Sequence, residues 1–597
     1  IIKKLMNSNK VKEKSFKILF AFTAALCIVA VVAIFAFLII KSVPTFRRIG
    51  FFKFIFGKEW KPNVDDGFTG EIKGKYGVFK MIIGTIVATL GSVIVGGALG
   101  FFTAVFISKF CPKKLKGAFV TVINLLAGIP SVIFGFFGMV VLLPKLGVFS
   151  ETGSGSGLLA VSLVLGLMIL PTVVSLSKTS IDAVPDSYYE GARALGATHE
   201  QAVFRAVVPA AKSGIVASII LGIGRAVGET MAVIMVAGNV VEYPKGLFQS
   251  FRVLTANIVM EMGYAGDLQL GALISTGVVL LLFILIINLL TGLVTSGGKK
   301  DKTCKKRSIE PLAKFFHAIK IEKIGKIVAY VSAVIASIGL ISIILFVCVN
   351  GIPHLTTQLL FGKHSVRNIS IFPAIVTTLM TVGISLVIAV PIGVFTAIFL
   401  NEYSKKGSKI VRVIRSAIDI LAGVPSIVYA LFGMVTFVAW LNGRQSILAG
   451  SLTIAIMLLP TVVRSTEESL KSVSDTLREG SLALGAGKVR TIFKVVLPSA
   501  LPGIASAIIL AMGRVVSESA PFVYTMGNCL TTMPKGVMSD GTTLAVALYT
   551  LAGEGQHLNE AYATAFVLLV IVLALNLPAN LITKKLDKKL KGSKNGK

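Results

Sequence analysis

One pattern occurs twice in this chain, 289 residues apart, and it restricts the fold to two copies of a single hydrophobic unit. The first copy reads SYYEGARALGATHEQAVFRAVVPA from Ser187 to Ala210, and the second reads TLREGSLALGAGKVRTIFKVVLPSA from Thr476 to Ala500. At the same offset GRAVGE (Gly224 to Glu229) answers GRVVSE (Gly513 to Glu518), and MILPTVV (Met168 to Val174) answers MLLPTVV (Met457 to Val463). Long apolar runs surround these motifs. Of the 597 residues 54% are hydrophobic and only 15% charged, and mean hydropathy is +0.84. A soluble domain carries roughly 25% charged residues, so this is the composition of a membrane protein. The net charge of +32 does not point to nucleic acid. The lysines crowd short segments between apolar runs, the pattern of anchoring at the cytosolic face of a lipid bilayer.

A helix needs roughly 20 mainly apolar residues to cross the hydrocarbon layer. Six candidates fit the first half, at 17–40, 80–107, 118–143, 157–176, 212–237 and 269–292. Six more fit the second, at 326–349, 371–399, 411–440, 446–463, 500–525 and 561–582. The spans at 157–176 and 446–463 are the shortest. The first apolar run lacks a small-residue cleavage site and reads as a retained span. Basic residues set the orientation. SKFCPKKLKG after span two, KKDKTCKKRSIE between the halves and the lysine-rich tail after Leu581 all fall inside when both termini are cytosolic. The stretches 41–79, 238–268 and 526–560 then lie outside. The expected domains are a unit of six spans over 1–295, a basic cytosolic linker over 296–325 and a second six-span unit over 326–597. An even number of spans gives both units one orientation, a parallel repeat with its path between the halves.

Between spans four and five of each half lies a polar insert. Ser187 with Glu190, and Thr476 with Glu479, have the spacing of a capping box, and Asp186 and Asp475 favour the same helix start. Small residues follow, glycines allow a turn, and Pro209 and Pro498 mark re-entry into the bilayer. A single such insert reads as a capped solvent helix; two at one place in the topology read as a docking element. Arg225, Glu229, Arg514 and Glu518 fall inside apolar spans, where a charge is costly unless it is paired or faces a polar path. Arginine and glutamate four apart share a helix face, so an intrahelical pair and a substrate path both remain open. Guanidinium forks suit an oxyanion with two or more oxygens. Pro130 and Pro425 in AG(I/V)PS, and Pro171 and Pro460 in (I/L)LPT, would kink their helices, as hinges or as static bends. Gly100 and Gly393 permit close helix crossings.

Several chemistries are excluded. GAGKVR at Gly485 resembles a Walker A loop, but Lys488 precedes valine and the leading glycine position holds Leu482. The chain therefore is not its own ATPase by that route. The five cysteines and five histidines show no metal-ligand spacing and no nucleophilic triad.

The spacing of Glu190, Gly196 and Pro209, repeated in Glu479, Gly485 and Pro498, resembles the cytosolic loop of ABC-importer permeases. That family has alanine where Gly191 and Gly480 stand. AGIPSVIFGFFGMV, GRAVGETMAV, AGVPSIVYALFGMV and GRVVSESAPFVYTMG narrow the resemblance to the phosphate-specific importer, with a PstC-like half fused to a PstA-like half. The resemblance implies an all-α polytopic fold, the type I (MetI-like) transmembrane domain in two tandem copies of six spans. It implies coupling helices that dock two copies of a cytosolic PstB-like ATPase, which would carry the ATP, and an extracytoplasmic PstS-like phosphate-binding protein. No cofactor would be bound by this chain itself, and its place would be the bacterial plasma membrane. Arg225, Glu229 and Arg514 match residues that the family uses in transport, and Glu518 is their fourth counterpart. A glutamate would accept the proton of hydrogen phosphate and disfavour sulfate, which has none to give. A permease for phosphonate or molybdate keeps the architecture, with Glu229 arguing against a fully deprotonated ligand. A secondary transporter would need no such inserts and no ATPase, and a structural membrane protein would not need buried arginines.

Overall fold

The computed structural model describes residues 2–62, 74–151, 153–296, 321–365, 368–404, 408–528, 530 and 533–592. The expected linker lies outside the described residues from 297 to 320, as does 63–73 within the stretch 41–79. The described chain is helical except for a two-stranded antiparallel ribbon of Trp60–Lys61 and Lys75–Tyr76. Helices follow from the solvent: apolar runs placed in lipid must satisfy every backbone amide internally.

Nine described helices are long and apolar enough to cross a membrane, and two bent pairs raise the number to eleven. Twelve separate spans were expected, and the third of each half accounts for much of the difference. There Lys113–Ala127 ends before Pro130, and Ser131–Phe137 begins after it. In the second half Lys409–Gly423 ends before Pro425, and Ser426–Gly433 begins after it, at an angle of 98° across the break. Pro130 and Pro425 are thus not kinks inside a helix. Each takes an extended ψ, 140° and 148°, and stands as the residue that starts the following helix. Proline has no amide to give, so its missing donor costs least at a helix start. Pro171 and Pro460 do lie within helices. Those helices, Leu158–Asp182 and Ile447–Lys471, are longer than the spans read at 157–176 and 446–463, and they are the two most buried.

The chain forms two compact units, residues 45–352 and residues 1–44 with 353–597. They divide the chain differently from the repeats, because each contains the first long helix of the other repeat. In the unit of residues 45–352, Leu158–Asp182 packs against Phe79–Ser92, Ala98–Val105 and Lys212–Gly228. The approach is close: a Cβ at Gly100 would stand 2.9 Å from Cβ of Val173. Ile321–Gly351 covers this bundle, with the Tyr330 ring 4.8 Å from that of Phe106 and the Phe346 ring 5.5 Å from that of Phe137.

In the unit of residues 1–44 and 353–597, Ile447–Lys471 packs against Phe372–Ile398 and Leu497–Ser517. A Cβ at Gly393 would stand 2.6 Å from Cγ1 of Val462. Here Ile2–Ile49 supplies the cover through Phe16 on Phe493, Phe20 on Phe395 and Phe37 on Phe432, with ring centroids 5.3–5.6 Å apart. Cys27 Sγ lies 3.4 Å from Oγ1 of Thr396. Apolar periodicity makes a segment a helix but does not say which bundle it will cover, so this exchange is a property of packing alone.

Both repeats also place π-helical turns at matching positions: Phe106–Phe110 and Phe399–Tyr403, Gly138–Leu142 and Met434–Val438, Ala202–Val207 and Ile492–Val496. Such bulges carry one extra residue per turn and redirect the side chains that follow.

Candidate functional site

The fifth span of each half is interrupted where its charges lie. Lys212–Gly228 ends at Glu229, and Leu497–Ser517 ends at Glu518; both glutamates are extended, with ψ of 135° and 142°. Short helices resume at Met231–Val236 and Ala520–Thr525. Expecting continuous helices across 212–237 and 500–525, with arginine and glutamate on one face, therefore requires correction. Glu229 points Oε1 toward the Ala232 amide at 3.4 Å, and its carbonyl accepts the Thr255 hydroxyl at 3.0 Å. Arg514 Nε lies 3.8 Å from Oε1 of Glu518, a loose contact. The resumed helices pack on those that follow Pro130 and Pro425, so within each unit two broken spans support one another. Interrupted spans of this kind expose backbone polar groups at membrane depth, which is tolerated where they line a cavity.

Each arginine meets a threonine that the sequence reading had passed over. Arg225 Nη1 donates to Oγ1 of Thr172 at 2.9 Å, and Arg514 Nη1 donates to Oγ1 of Thr461 at 3.0 Å. These threonines follow Pro171 and Pro460 in the duplicated LPT motif. The duplication of the whole motif, threonine included, is the sequence signal for them. Around Glu229 a small cavity is lined by Thr85, Thr89, Thr255 and apolar neighbours.

The inserts carry short helices, Asp186–Ala194 and Asp475–Ala483. The expected capping boxes are misplaced. Pro185 and Ser474 are the residues before these helices, and the Ser474 hydroxyl accepts the Thr476 amide at 3.3 Å. Ser187 and Thr476 therefore sit inside the first turn, with Glu190 and Glu479 farther along. A capping box does form at Thr198 and Gln201. Both insert helices end alike. Gly196 and Gly485 adopt φ of 84° and 80°. Gly196 N bonds Arg193 O while Ala197 N bonds Ala192 O, and Gly485 N bonds Leu482 O while Ala486 N bonds Ser481 O. This is the Schellman ending, which requires a left-handed residue and so favours glycine. It leaves Leu195 and Leu484 91% and 90% exposed at matching positions. At Gly191 and Gly480 an added Cβ would meet nothing within 4 Å, so each helix keeps an open, small-residue face. Beside the first insert helix, a concavity of about 430 Å³ is lined by Ala192, Leu195, Gln201 and Arg205.

The inserts are fastened differently. In the first, the Tyr189 hydroxyl lies 2.8 Å from Nδ1 of His199, whose Nε2 lies 3.2 Å from Lys109 O. A carbonyl only accepts, so Nε2 carries a proton and donates to Lys109 O. In the second, Arg478 donates to Glu402, Asp475, Leu470 O and Val473 O at 2.6–3.1 Å. Lys326 donates to Glu200 at 2.9 Å, and that bond above all, with the backbone amide of Glu200 second, holds the Glu200 carboxyl down to about 2. Glu13 accepts the Lys488 amide at 2.8 Å, an acid placed at a helix start. The re-entry differs too. After Pro209 the chain bends by 69° at Ala211, whereas Lys488–Ser517 passes Pro498 as one helix.

Both copies of the insert, of the LPT motif and of the arginine segment fall within two stretches, 96–297 and 389–592, that match one family, the binding-protein-dependent transport system inner membrane component. The chain belongs to that family. Relatives of this inner membrane component include the phosphate transport system permease protein PstA homolog of Mycoplasma pneumoniae, 29% identical across 85% of this chain and 84% of that protein. The probable ABC transporter permease protein YqgH of Bacillus subtilis is 38% identical across 45% of this chain and 87% of its own length. Phosphate transport system permease protein PstA 1 of Mycobacterium tuberculosis is 35% identical across 42% and 85%. The Mycoplasma relative extends over most of this inner membrane component, and the other two over less than half of it while nearly complete themselves. That is the relation a fused two-half permease has to single-half relatives. The family is an inner membrane transport component, and these relatives are named as permease proteins. Among the described residues no group of three or more His, Cys, Asp or Glu side chains could hold a metal ion.

Proposed function

We propose that this chain is the membrane component of an ATP-driven importer of inorganic phosphate. The observation that carries the proposal is the same in both units: an arginine near the end of a broken span, oriented by a threonine on a neighbouring helix, with a glutamate at the break. A guanidinium grips two oxygens of an oxyanion, and two such groups neutralise a divalent one. Glu229 would accept the proton of hydrogen phosphate and disfavour sulfate. The names of the relatives support the substrate.

Transport would be driven through the inserts. Helices 186–194 and 475–483, with Glu190, Gly191, Gly196 and Pro209 in one and Glu479, Gly480, Gly485 and Pro498 in the other, would each dock an ATPase subunit. Leu195 and Leu484 are the side chains that such a groove would take up. Basic segments on the insert side support cytosolic termini in a bacterial plasma membrane. A binding protein would then deliver phosphate from outside.

The test is reconstitution with the cognate ATPase and binding protein, followed by ATP-dependent uptake of labelled phosphate under excess sulfate. Uptake that resists sulfate and collapses in Arg225→Ala and Arg514→Ala, at unchanged membrane abundance, is expected. Uptake of molybdate or a phosphonate in place of phosphate would discard the substrate. Unchanged uptake in both variants would make the arginines structural.

A further inference from the structure

Threonines within apolar helices usually turn the hydroxyl back onto the carbonyl one turn earlier, which satisfies its proton. This chain follows the habit at Thr85 onto Met81 O, Thr89 onto Thr85 O, Thr276 onto Ala272 O, Thr378 onto Ala374 O and Thr453 onto Ala449 O, at 2.6–2.9 Å. Thr172 and Thr461 depart from it. Both lie inside long helices, yet their hydroxyl oxygens accept from Arg225 and Arg514, and among the described residues neither hydroxyl donates a bond. Both are half-buried, hence reachable.

A hydroxyl has one proton and two acceptor sites, while guanidinium has only donors. Acceptance from a cation polarises the O–H bond and makes its proton a stronger donor. The arrangement therefore leaves a free, activated proton beside a guanidinium in each unit. The group that satisfies both is an anion with several oxygens. We infer that Thr172 and Thr461 are oxyanion-contact residues of the transport path, each donating a hydrogen bond to the substrate while holding the fork of its arginine in place. The inference rests on the phosphate-importer reading and adds to it the two groups that would supply neutral donors.

The test uses the full chain reconstituted with its ATPase and binding protein, with phosphate uptake measured against the concentration of loaded binding protein. Thr172→Val and Thr461→Val keep the shape and remove the hydroxyl. Each should lower the maximal rate by about tenfold, the scale of one hydrogen bond to a charged group. The half-saturating concentration of loaded binding protein should not move, because docking occurs elsewhere. Serine at either position should keep at least about half the maximal rate, given that the hydroxyl is retained. Thr179→Val, on the same helix but bonded back to Ser175 O, is the control and should behave as wild type. The thermal midpoint of each solubilised variant, with Thr→Ala as a second replacement, separates misfolding from lost contact. Two outcomes overturn the inference while the importer reading stands: valine variants that transport normally while Arg225→Ala and Arg514→Ala are dead, or serine variants as impaired as valine. Normal uptake in the arginine variants would make the arginines structural and remove the inference with them, whereas wild type that takes up no phosphate would remove the importer reading itself.

Discussion

The two inserts share a sequence pattern, a helix length and a glycine ending, yet they are held by different chemistry. The first is fastened through an imidazole, with Tyr189 bonded to His199 and His199 to Lys109 O, and its chain bends by 69° on re-entry. The second is fastened by one guanidinium reaching four acceptors, and its chain continues as one 30-residue helix. Position 189 of the first copy corresponds to 478 of the second and position 199 to 488, so tyrosine and histidine in one insert stand where arginine and lysine stand in the other. The exposed leucine and small-residue face is the same in both, while the joint behind it differs.

Arg478→Ala should break this comparison most severely. It removes four hydrogen bonds and leaves Glu402, 9% exposed, without its cation. Stranding one partner of a mostly buried pair costs about 3 kcal/mol, so the thermal midpoint of the solubilised chain should fall by several degrees. A change no larger than that of an exposed arginine would show that the second insert is not held there.

The helix crossings, by contrast, should respond alike in both halves. Gly100→Val and Gly393→Val force side chains against Val173 and Val462, and overpacking costs about 1–3 kcal/mol. Similar losses in the two variants, read by thermal unfolding, would show that the repeats match at their cores. A loss in only one would extend the asymmetry from the joints into the bundles. Smaller again is Tyr189→Phe, which removes one hydrogen bond worth about 1 kcal/mol. Hydrogen exchange in residues 186–201 should rise, while residues 475–491 stay unchanged.

These contrasts also mark what the sequence could carry. The duplication, the placement of most spans, the close crossing at Gly100 and Gly393 and the turns at Gly196 and Gly485 were legible, because each depends on residue type at a fixed spacing. The breaks at Glu229 and Glu518 were not. Arginine and glutamate four apart imitate a helical pair. The contacts of Thr172 and Thr461 were hidden because hydroxyl orientation depends on a neighbour 53 residues away. Nor does a hydrophobic run reveal its partner: Ile321–Gly351 belongs with the first repeat's bundle and the first helix with the second's, and amphipathic pattern is silent on that choice. The misplaced capping boxes have a local cause, since Pro185 and Ser474 stand at the helix starts two residues ahead of the expected Ser187 and Thr476.

The smallest expected effect concerns pH, and it sharpens the comparison where the two inserts resemble each other most. Near the re-entry, Glu200 is paired to Lys326 in one unit, and Glu13 caps the Lys488 amide in the other. The Glu200 carboxyl lies at about 2, below its ordinary 4.5, chiefly through Lys326. A lowered carboxyl favours the folded state fully above its ordinary value and loses that contribution as pH falls toward the folded one. Stability at this joint should therefore be level from pH 8 to pH 5 and decline between about pH 4.5 and pH 2. The pair is partly exposed, with Lys326 at 41% and Glu200 at 19%, so solvent screening keeps its worth small. Exchange protection of the amides at 199–201, followed across this range in wild type and Glu200→Gln, isolates it. Wild type should lose protection below about pH 4.5 and the glutamine variant should be flat, since it has no proton to take up. Equal pH dependence in both proteins would assign the decline to other carboxylates and leave the Glu200–Lys326 contact without a role in holding the first insert.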